Sequence, residues 1–303
     1  MGQIPLPYLR SGNFDFTGFP GYPYGPVARN PHLPMAAAQP AVLPLDRSLD
    51  ALRREIDALD DTMFDLLGRR AALAVEVAQA KARTGGNAAP LFRPGREAEI
   101  LRRLIGRTRA PLAPALVARV WREIIVASTC VQGRFTVAVP AGASCIEVAR
   151  EHFGSRVLQP VASGAAVLAA VAKGRVQLGI LPLPGGAARA SAWWSELPRS
   201  LNVLGRLPFV TTGARRLKTE AGALIVGRQD FEPSGDDVFY LQAEGAALKG
   251  LPSSSVRATA RRRRTVLRLI ETAMPFEEIA KLAAGRGVRF LGGYARPIIL
   301  SAS

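Results

Sequence analysis

The sequence is poor in the residues from which many catalytic and metal centres are built, with two cysteines and two histidines in 303 residues. Cys130 and Cys145 stand fifteen positions apart, without CxxC spacing and with His152 as the one histidine near them. Neither a disulfide framework nor a metal site is supported, and the pattern implies a reducing compartment. No nucleophile and base can be paired from these residues, so the thiols read as ordinary residues of apolar surroundings and His152 as a helix-surface residue. No run of 18 apolar residues occurs, and the first 34 residues lack the basic start and apolar stretch of a secretory signal. The expectation is a cytoplasmic protein that does not enter a membrane. Lysine is scarce too: five Lys accompany 35 Arg under a formal charge of +16. The arginines are spread along the chain and not gathered in one stripe. The charge therefore reads as compositional bias and not as a nucleic-acid surface, although a positive field steers anionic substrates.

What is present can fold. The chain is 48% apolar with a mean hydropathy of +0.12, and it is long enough for two domains. Residues 1–45 carry Pro5, Pro7, Pro20, Pro23, Pro26, Pro31 and Pro34 among Gly, Tyr and Phe. This leader has no periodicity and is expected to stay disordered, with Met35 a candidate start. From Asp46 to Arg83, apolar residues at Leu52, Ile56, Leu59, Met63, Leu66, Leu73 and Val77 recur at helical spacing. Asp46 or Ser48 can cap this long helix, and Gly85-Gly86-Asn87 can stop it. A second helix is expected from Pro94 to about Arg107, and a third from Pro114 to near Gln132, ended by Gly133. The first helix, about 37 residues, is roughly 55 Å long, whereas a compact domain of about 90 residues has a radius of gyration near 12 Å. The two shorter helices cannot cover its stripe, so a second copy must, most simply in a two-fold dimer.

After Gly133 the periodicity changes to an α/β pattern. Strands are expected at Phe135–Val139, Gln177–Leu181, Leu201–Leu204, Ala223–Val226, Val238–Leu241 and Val288–Leu291. Helices are expected at Ile146–Phe153, Ala165–Lys173, Val256–Ala273 and Pro275–Ala284, with Arg261–Arg264 a solvated helix face or linker and Gly235-Asp236-Asp237 a turn. No internal repeat is present.

Chemistry-bearing residues concentrate in the helical part. Arg70 shares the apolar seam of the first helix, and Lys81, eleven residues on, returns to within about 20° of the same direction. Ionised groups facing a core need partners, and a bound anion would complete them. Arg53 lies about 100° from Arg70, off this seam, where it could reach a neighbouring protomer. Arg96 and Glu97 open the second helix, where an acidic residue suits the dipole. Ser128 and Gln132 share a face of the third, presenting two uncharged hydrogen-bonding groups.

The run LDALRREIDALDDTMFDLLGRRAALAVEVAQAK, then FRPGREAEILRRL, then PLAPALVARVWREIIVASTCVQ, resembles the all-helical chorismate mutases, most closely the mutase domain of fused chorismate mutase and prephenate dehydratase proteins. LR, LLxRR, KA, RPxRE and SxxxQ occur in order and at the right spacing. The resemblance implies an intertwined, dimeric, three-helix mutase domain over 46–133 that converts chorismate to prephenate in phenylalanine and tyrosine synthesis, without a cofactor. It implies that Arg70 and, from the partner subunit, Arg53 clamp the substrate carboxylates. Lys81 and Gln132 match the donors to the ether oxygen, Glu97 and Ser128 match contacts to the hydroxyl and carboxylate region, and Arg96 matches a supporting basic position. Arg93 departs from the acidic residue that some members carry there. A rearrangement within one molecule needs no nucleophile or metal, only positioning and charge stabilisation. All assigned residues precede Gly133, so a fragment ending there is expected to be an active dimer.

The stretches FTVAVPAGASCIEVAREHFG, VLAAVAKGRVQLGILPLPGG and GALIVGRQDFEPSGDD resemble prephenate dehydratase. Residues 134–303 are therefore expected to form an α/β region like a reduced, periplasmic-binding-like dehydratase domain. Ala221-Gly222-Ala223 aligns with that family's catalytic Thr-Arg-Phe, and Pro184-Gly185-Gly186 with its Glu-Asn-Ser. These segments offer no side-chain donor to a leaving hydroxide, which implies a relic domain. The alternatives are a weak regulatory or ligand-binding protein and a bifunctional mutase/dehydratase.

Overall fold

The structure is a computed structural model that describes residues 47–83, 90–185, 189–212, 222–245, 256–262, 265–284 and 287–300. The expected leader, the Asp46 cap, the Gly85-Gly86-Asn87 stop, Ala221, Gly186 and Arg263-Arg264 lie outside these residues. Among the described residues, those up to 58 and those from 59 onward fall into separate units.

Three helices come first: α1 (Leu49–Arg83), α2 (Pro94–Ile105) and α3 (Pro114–Gln132). Ser48 caps α1, its Oγ accepting from Ala51 N at 3.2 Å, which satisfies one of the donors a helix start leaves open. Pro94 and Pro114 open α2 and α3, where a missing N–H costs nothing. Alone among the side chains of α1, Ala74 is buried. Leu59 (58% exposed), Met63, Phe64 (68%), Leu66, Leu73 and Val77 leave much of their surface open, as do Leu116, Val120 and Val131 on α3.

The remaining elements are β1 (Val137–Pro140), α4 (Cys145–Phe153), β2 (Leu158–Val161), α5 (Gly164–Ala172), β3 (Leu178–Pro182), β4 (Asn202–Leu207), β5 (Val210–Thr212), β6 (Ala223–Gly227), β7 (Asp237–Glu244), β8 (Val256–Arg262), β9 (Thr265–Thr272), α6 (Phe276–Ala283), β10 (Val288–Ala295) and β11 (Ile298–Leu300). Nine strands make one mixed sheet in the order β2-β1-β3-β6-β4-β10-β7-β9-β8, and β5 pairs with β11 in parallel. β1 runs parallel to β2 and β3, as the α4 and α5 crossovers require. Gly292, at φ 109°, sits where the β10 register shifts against β7. A Cβ there would lie 2.1 Å from Val203 O, so only glycine lets β10 meet β4.

The helix expected over 256–273 is instead the antiparallel pair β8 and β9, with Arg262 opposite Thr265. Partly buried Val256, Ala258 and Ala260 alternate with exposed Arg257, Thr259 and Arg261. That period of two marks a strand, and Arg261 and Arg262 stand at the end of β8, not on a helix face.

One sheet face packs against α4 through Val137, Val139, Ile180, Leu204 and Ile225, together with Phe92, Phe135 and Phe153. The other packs against α5 and the 3-10 segment Arg189–Glu196 through Val167, Val171, Trp193 and Trp194. α2 joins the sheet region directly. Its Ala98 and Leu101 pack with Phe209 and Ala295, and Arg102 donates to Ser234 O (2.9 Å), Asp236 O (2.9 Å) and Arg296 O (3.2 Å). Gly95 makes this approach possible, since a Cβ there would come within 2.6 Å of Pro233 O.

Candidate active site

Between α1, α2 and α3 lies a cavity of about 380 Å³. Its lining includes Arg70 and Lys81 from α1, Arg96 and Glu97 from α2, and Ser128 and Gln132 from α3, with Leu73, Val77, Ile100 and Val126 as apolar wall. Six of the seven residues singled out in the sequence thus meet around one space. Arg53 is not among them: it is exposed near the start of α1 and pairs with Asp50 at 3.4 Å.

The cations are oriented by uncharged groups. Arg70 Nη1 donates to Ile124 O at 3.3 Å and to Ser128 Oγ, which itself donates to Ile124 O at 2.7 Å. Lys81 Nζ donates to Gln132 Oε1 at 3.1 Å and to Pro90 O at 3.3 Å. Burial lowers the pKa of Arg70, and burial together with the nearby Arg93 charge lowers that of Lys81. Both are costs of holding cations beside an apolar wall, which an anion would offset. Arg96 pairs with Glu99 at 3.0 Å and Arg93 with Glu232, Nε donating at 2.8 Å. The lining carries four cations and the carboxyl of Glu97, and with Arg93 and Arg96 paired to Glu232 and Glu99 its positive excess rests on Arg70 and Lys81.

Glu97 is buried (6% exposed), and burial pushes its carboxyl up to about 7 against the pull of Arg122. Its neighbour is His152 on α4, Nε2 standing 3.6 Å from Oε1. His152 is 4% exposed, so it is not a helix-surface residue as expected. Cys145, Ala149, His152 and Phe153 are the buried positions of α4, a helical spacing visible in the sequence that faces the histidine inward. Cys145 is buried, whereas Cys130 is exposed on α3.

The cavity wall does not end at Gly133. Phe135 and Phe153 line it beside Phe92, the three rings lying 5.8 to 6.5 Å apart. Gln229 Nε2 donates to Phe92 O at 2.8 Å. Every side chain singled out for the substrate precedes Gly133, and the α/β region adds two of the wall's aromatic rings. Sequence reasoning missed these residues, because Phe135 opens an expected strand and Phe153 closes an expected helix, and neither pattern points to the cavity.

Residues 52–133 match the family described as chorismate mutase type II. The bifunctional chorismate mutase/prephenate dehydratase of Pseudomonas aeruginosa is 37% identical over 140 residues, and that of Stutzerimonas stutzeri 35% over 140; each match covers 45% of this chain and 38% of the relative. This chain thus matches well under half the length of those curated relatives. A prephenate dehydratase structure from Streptococcus mutans is similar over 55% of this chain and all of that one, with 14% identity and a TM-score of 0.41. By the family match, the helical part of the chain, residues 52–133, is a chorismate mutase type II domain.

Proposed function

We propose that the protein is a chorismate mutase that rearranges chorismate to prephenate. The observation that carries this reading is the pairing of Arg70 with Ser128 and of Lys81 with Gln132 around one positive cavity. A dianion fits that charge. The reaction breaks a carbon–oxygen bond as a carbon–carbon bond forms within one molecule, so the site's tasks are to fold the substrate and to meet charge building on the ether oxygen. Arg70 holds a carboxylate, since a guanidinium can present two parallel donors. Lys81 and Gln132 face the ether oxygen, and one preorganised donor of this kind is worth about a hundred- to a thousand-fold in rate. Glu97 and Ser128 serve the hydroxyl and carboxylate region, and Arg96 supports them.

The working form is a homodimer in the cytoplasm. The exposed stripe of Leu59, Met63, Phe64 and Leu66 on α1 supports the second copy, since an apolar strip of this length is normally covered by another chain. Arg53 then enters the partner's cavity as its second carboxylate clamp. The α/β region is a dehydratase-like fold without that chemistry: Gly222 and Ala223, like Pro184 and Gly185, bring no side-chain donor. Purified protein should consume chorismate and yield prephenate. No turnover above background would defeat the mutase reading, and phenylpyruvate formed without acid treatment would restore the dehydratase.

A further inference from the structure

Three ionisable side chains from three elements are buried together at the seam between the helices and the sheet region: Glu97 of α2, Arg122 of α3 and His152 of α4. Burying such groups is costly unless each is matched. The match here is sparse. Among the described residues, Glu97 Oε1, Arg122 Nε and Nη2, and both His152 ring nitrogens make no hydrogen bond within normal limits. The nearest approach is the 3.6 Å between His152 Nε2 and Glu97 Oε1. Glu97 belongs at once to the wall of the mutase cavity and, with His152, to a second, small cavity beneath it. The His152 ring is fixed edge-on against Phe153, 4.4 Å between centroids, and Phe153 itself lines the mutase cavity.

We propose that His152, a residue of the α/β region, is a positioning residue for Glu97, holding one carboxylate oxygen from behind so that the other meets the substrate's hydroxyl in the mutase cavity. This rests on the mutase reading above and goes beyond it. It makes the second region part of the first region's binding site.

The charged groups around Glu97 set how the contact behaves with pH. Arg122 faces it from α3, Arg206 of β4 shares the small cavity, and Arg93, Arg96, Arg70 and Lys81 stand around the larger one. Burial and the Arg122 charge hold His152 well below the usual histidine range. The imidazole therefore stays neutral, because burial strips a charged ring of water and Arg122 repels a second cation. A neutral ring whose Nε2–H points at Oε1 steadies the ionised carboxylate, which accepts the substrate's hydroxyl in a charge-assisted bond. Binding should then strengthen as pH rises through the Glu97 titration at about 7.

The test uses the full chain and steady-state kinetics from pH 5.5 to 8.5. His152→Phe keeps the ring and loses the nitrogen. It should raise KM for chorismate about tenfold, the worth of one hydrogen bond to a charged group, while kcat changes less than about threefold. The limb of kcat/KM near pH 7 should move upward, and His152→Gln, which restores a donor, should recover most of the loss. In a Glu97→Gln background the limb should vanish and His152→Phe should add less than twofold, since neighbours acting through one contact are not additive. Wild-type KM and limb in His152→Phe, or equal effects in both backgrounds, would overturn the proposal. Should His152→Phe fail to fold, the 15N resonances of the His152 ring decide. They must report a neutral ring across this range and shift on Glu97→Gln, and an unmoved signal overturns the role. A wild type without turnover sinks the mutase reading and this role with it, whereas an active wild type with an unaffected variant sinks the role alone.

Discussion

The ammonium of Lys81 donates to the side-chain oxygen of Gln132 across 3.1 Å, while the Gln132 amide nitrogen donates to Ser128 O across 3.1 Å. The amide is thus held at both ends in one orientation. A carboxamide nitrogen carries two hydrogens, and Ser128 O takes one of them. On the proposed mutase reading, the other is the donor offered to a substrate oxygen. Lys81→Ala removes one donor and half of the clamp on the second. Turnover of chorismate should fall about a hundred-fold or more, with an unchanged thermal midpoint because the Lys81 side chain is not part of a packed core. A loss under tenfold would contradict the assignment.

Gln132→Glu keeps the shape and replaces the donor by an acceptor. An unperturbed Glu protonates at about 4.3, and the neighbouring Lys81 charge pulls this lower. The variant should be inactive near pH 7 and regain activity progressively in acid. Equal activity at pH 5 and pH 8 would refute the donor role.

If Arg53 serves the partner's cavity and Arg70 its own, the homodimers of Arg53→Ala and of Arg70→Ala should both be nearly inactive. A mixed dimer, co-expressed with two tags and isolated, has one cavity with both changes and one with neither. It should show about half the wild-type turnover per dimer, by the symmetry of a two-fold pair. A mixed dimer as inactive as its parents places both arginines in one chain's cavity.

Glu97 also ties stability to pH. Its carboxyl binds a proton at about 7 in the folded chain, against an ordinary 4.5, so the folded state holds the proton more tightly than the unfolded one. The stabilisation is complete below about pH 4.5 and is lost as pH rises through 7, and it amounts to on the order of 3 kcal/mol. Glu97→Gln should flatten that fall. Urea midpoints of the two proteins at pH 5 and pH 8 read the difference, and parallel shifts would dismiss the raised carboxyl.

Gly95→Ala places a methyl group against Pro233 O and Glu232. Backbone cannot yield as a side-chain end can, so the change should cost about 1–3 kcal/mol, the usual penalty of overpacking. A denaturant midpoint equal to the wild type's would show that α2 does not sit against the 232–233 segment.

The helices were legible because α1, α2 and α3 repeat their apolar residues at three and four, and proline marks two starts. β1, β3, β4, β6, β7 and β10 were legible as short apolar runs set between turn residues. The β8 and β9 pair was misread as a helix because Arg261 to Arg264 interrupt the apolar residues, and a basic run after Val256 fits a helix face as well as a strand end. β2, β5 and β11, three or four residues each, carry too little pattern to separate from loop. The cluster around Arg70, Lys81, Ser128 and Gln132 followed from spacing and resemblance together. His152, Phe153 and Phe135 did not, because their part in the cavity depends on how one region packs against the other, and no local period records that.

The guanidinium of Arg102 answers three carbonyl oxygens that belong to residues 234, 236 and 296. Cut away the α/β region and this charge loses its acceptors, Leu101 loses Phe209, and the wall behind the cavity loses two rings. Residues of the later region thus complete hydrogen bonds, packing and cavity wall of the earlier one. A cut at Gly133 would therefore reach the cavity through its supports, even though it removes none of the side chains that the sequence singles out for the substrate.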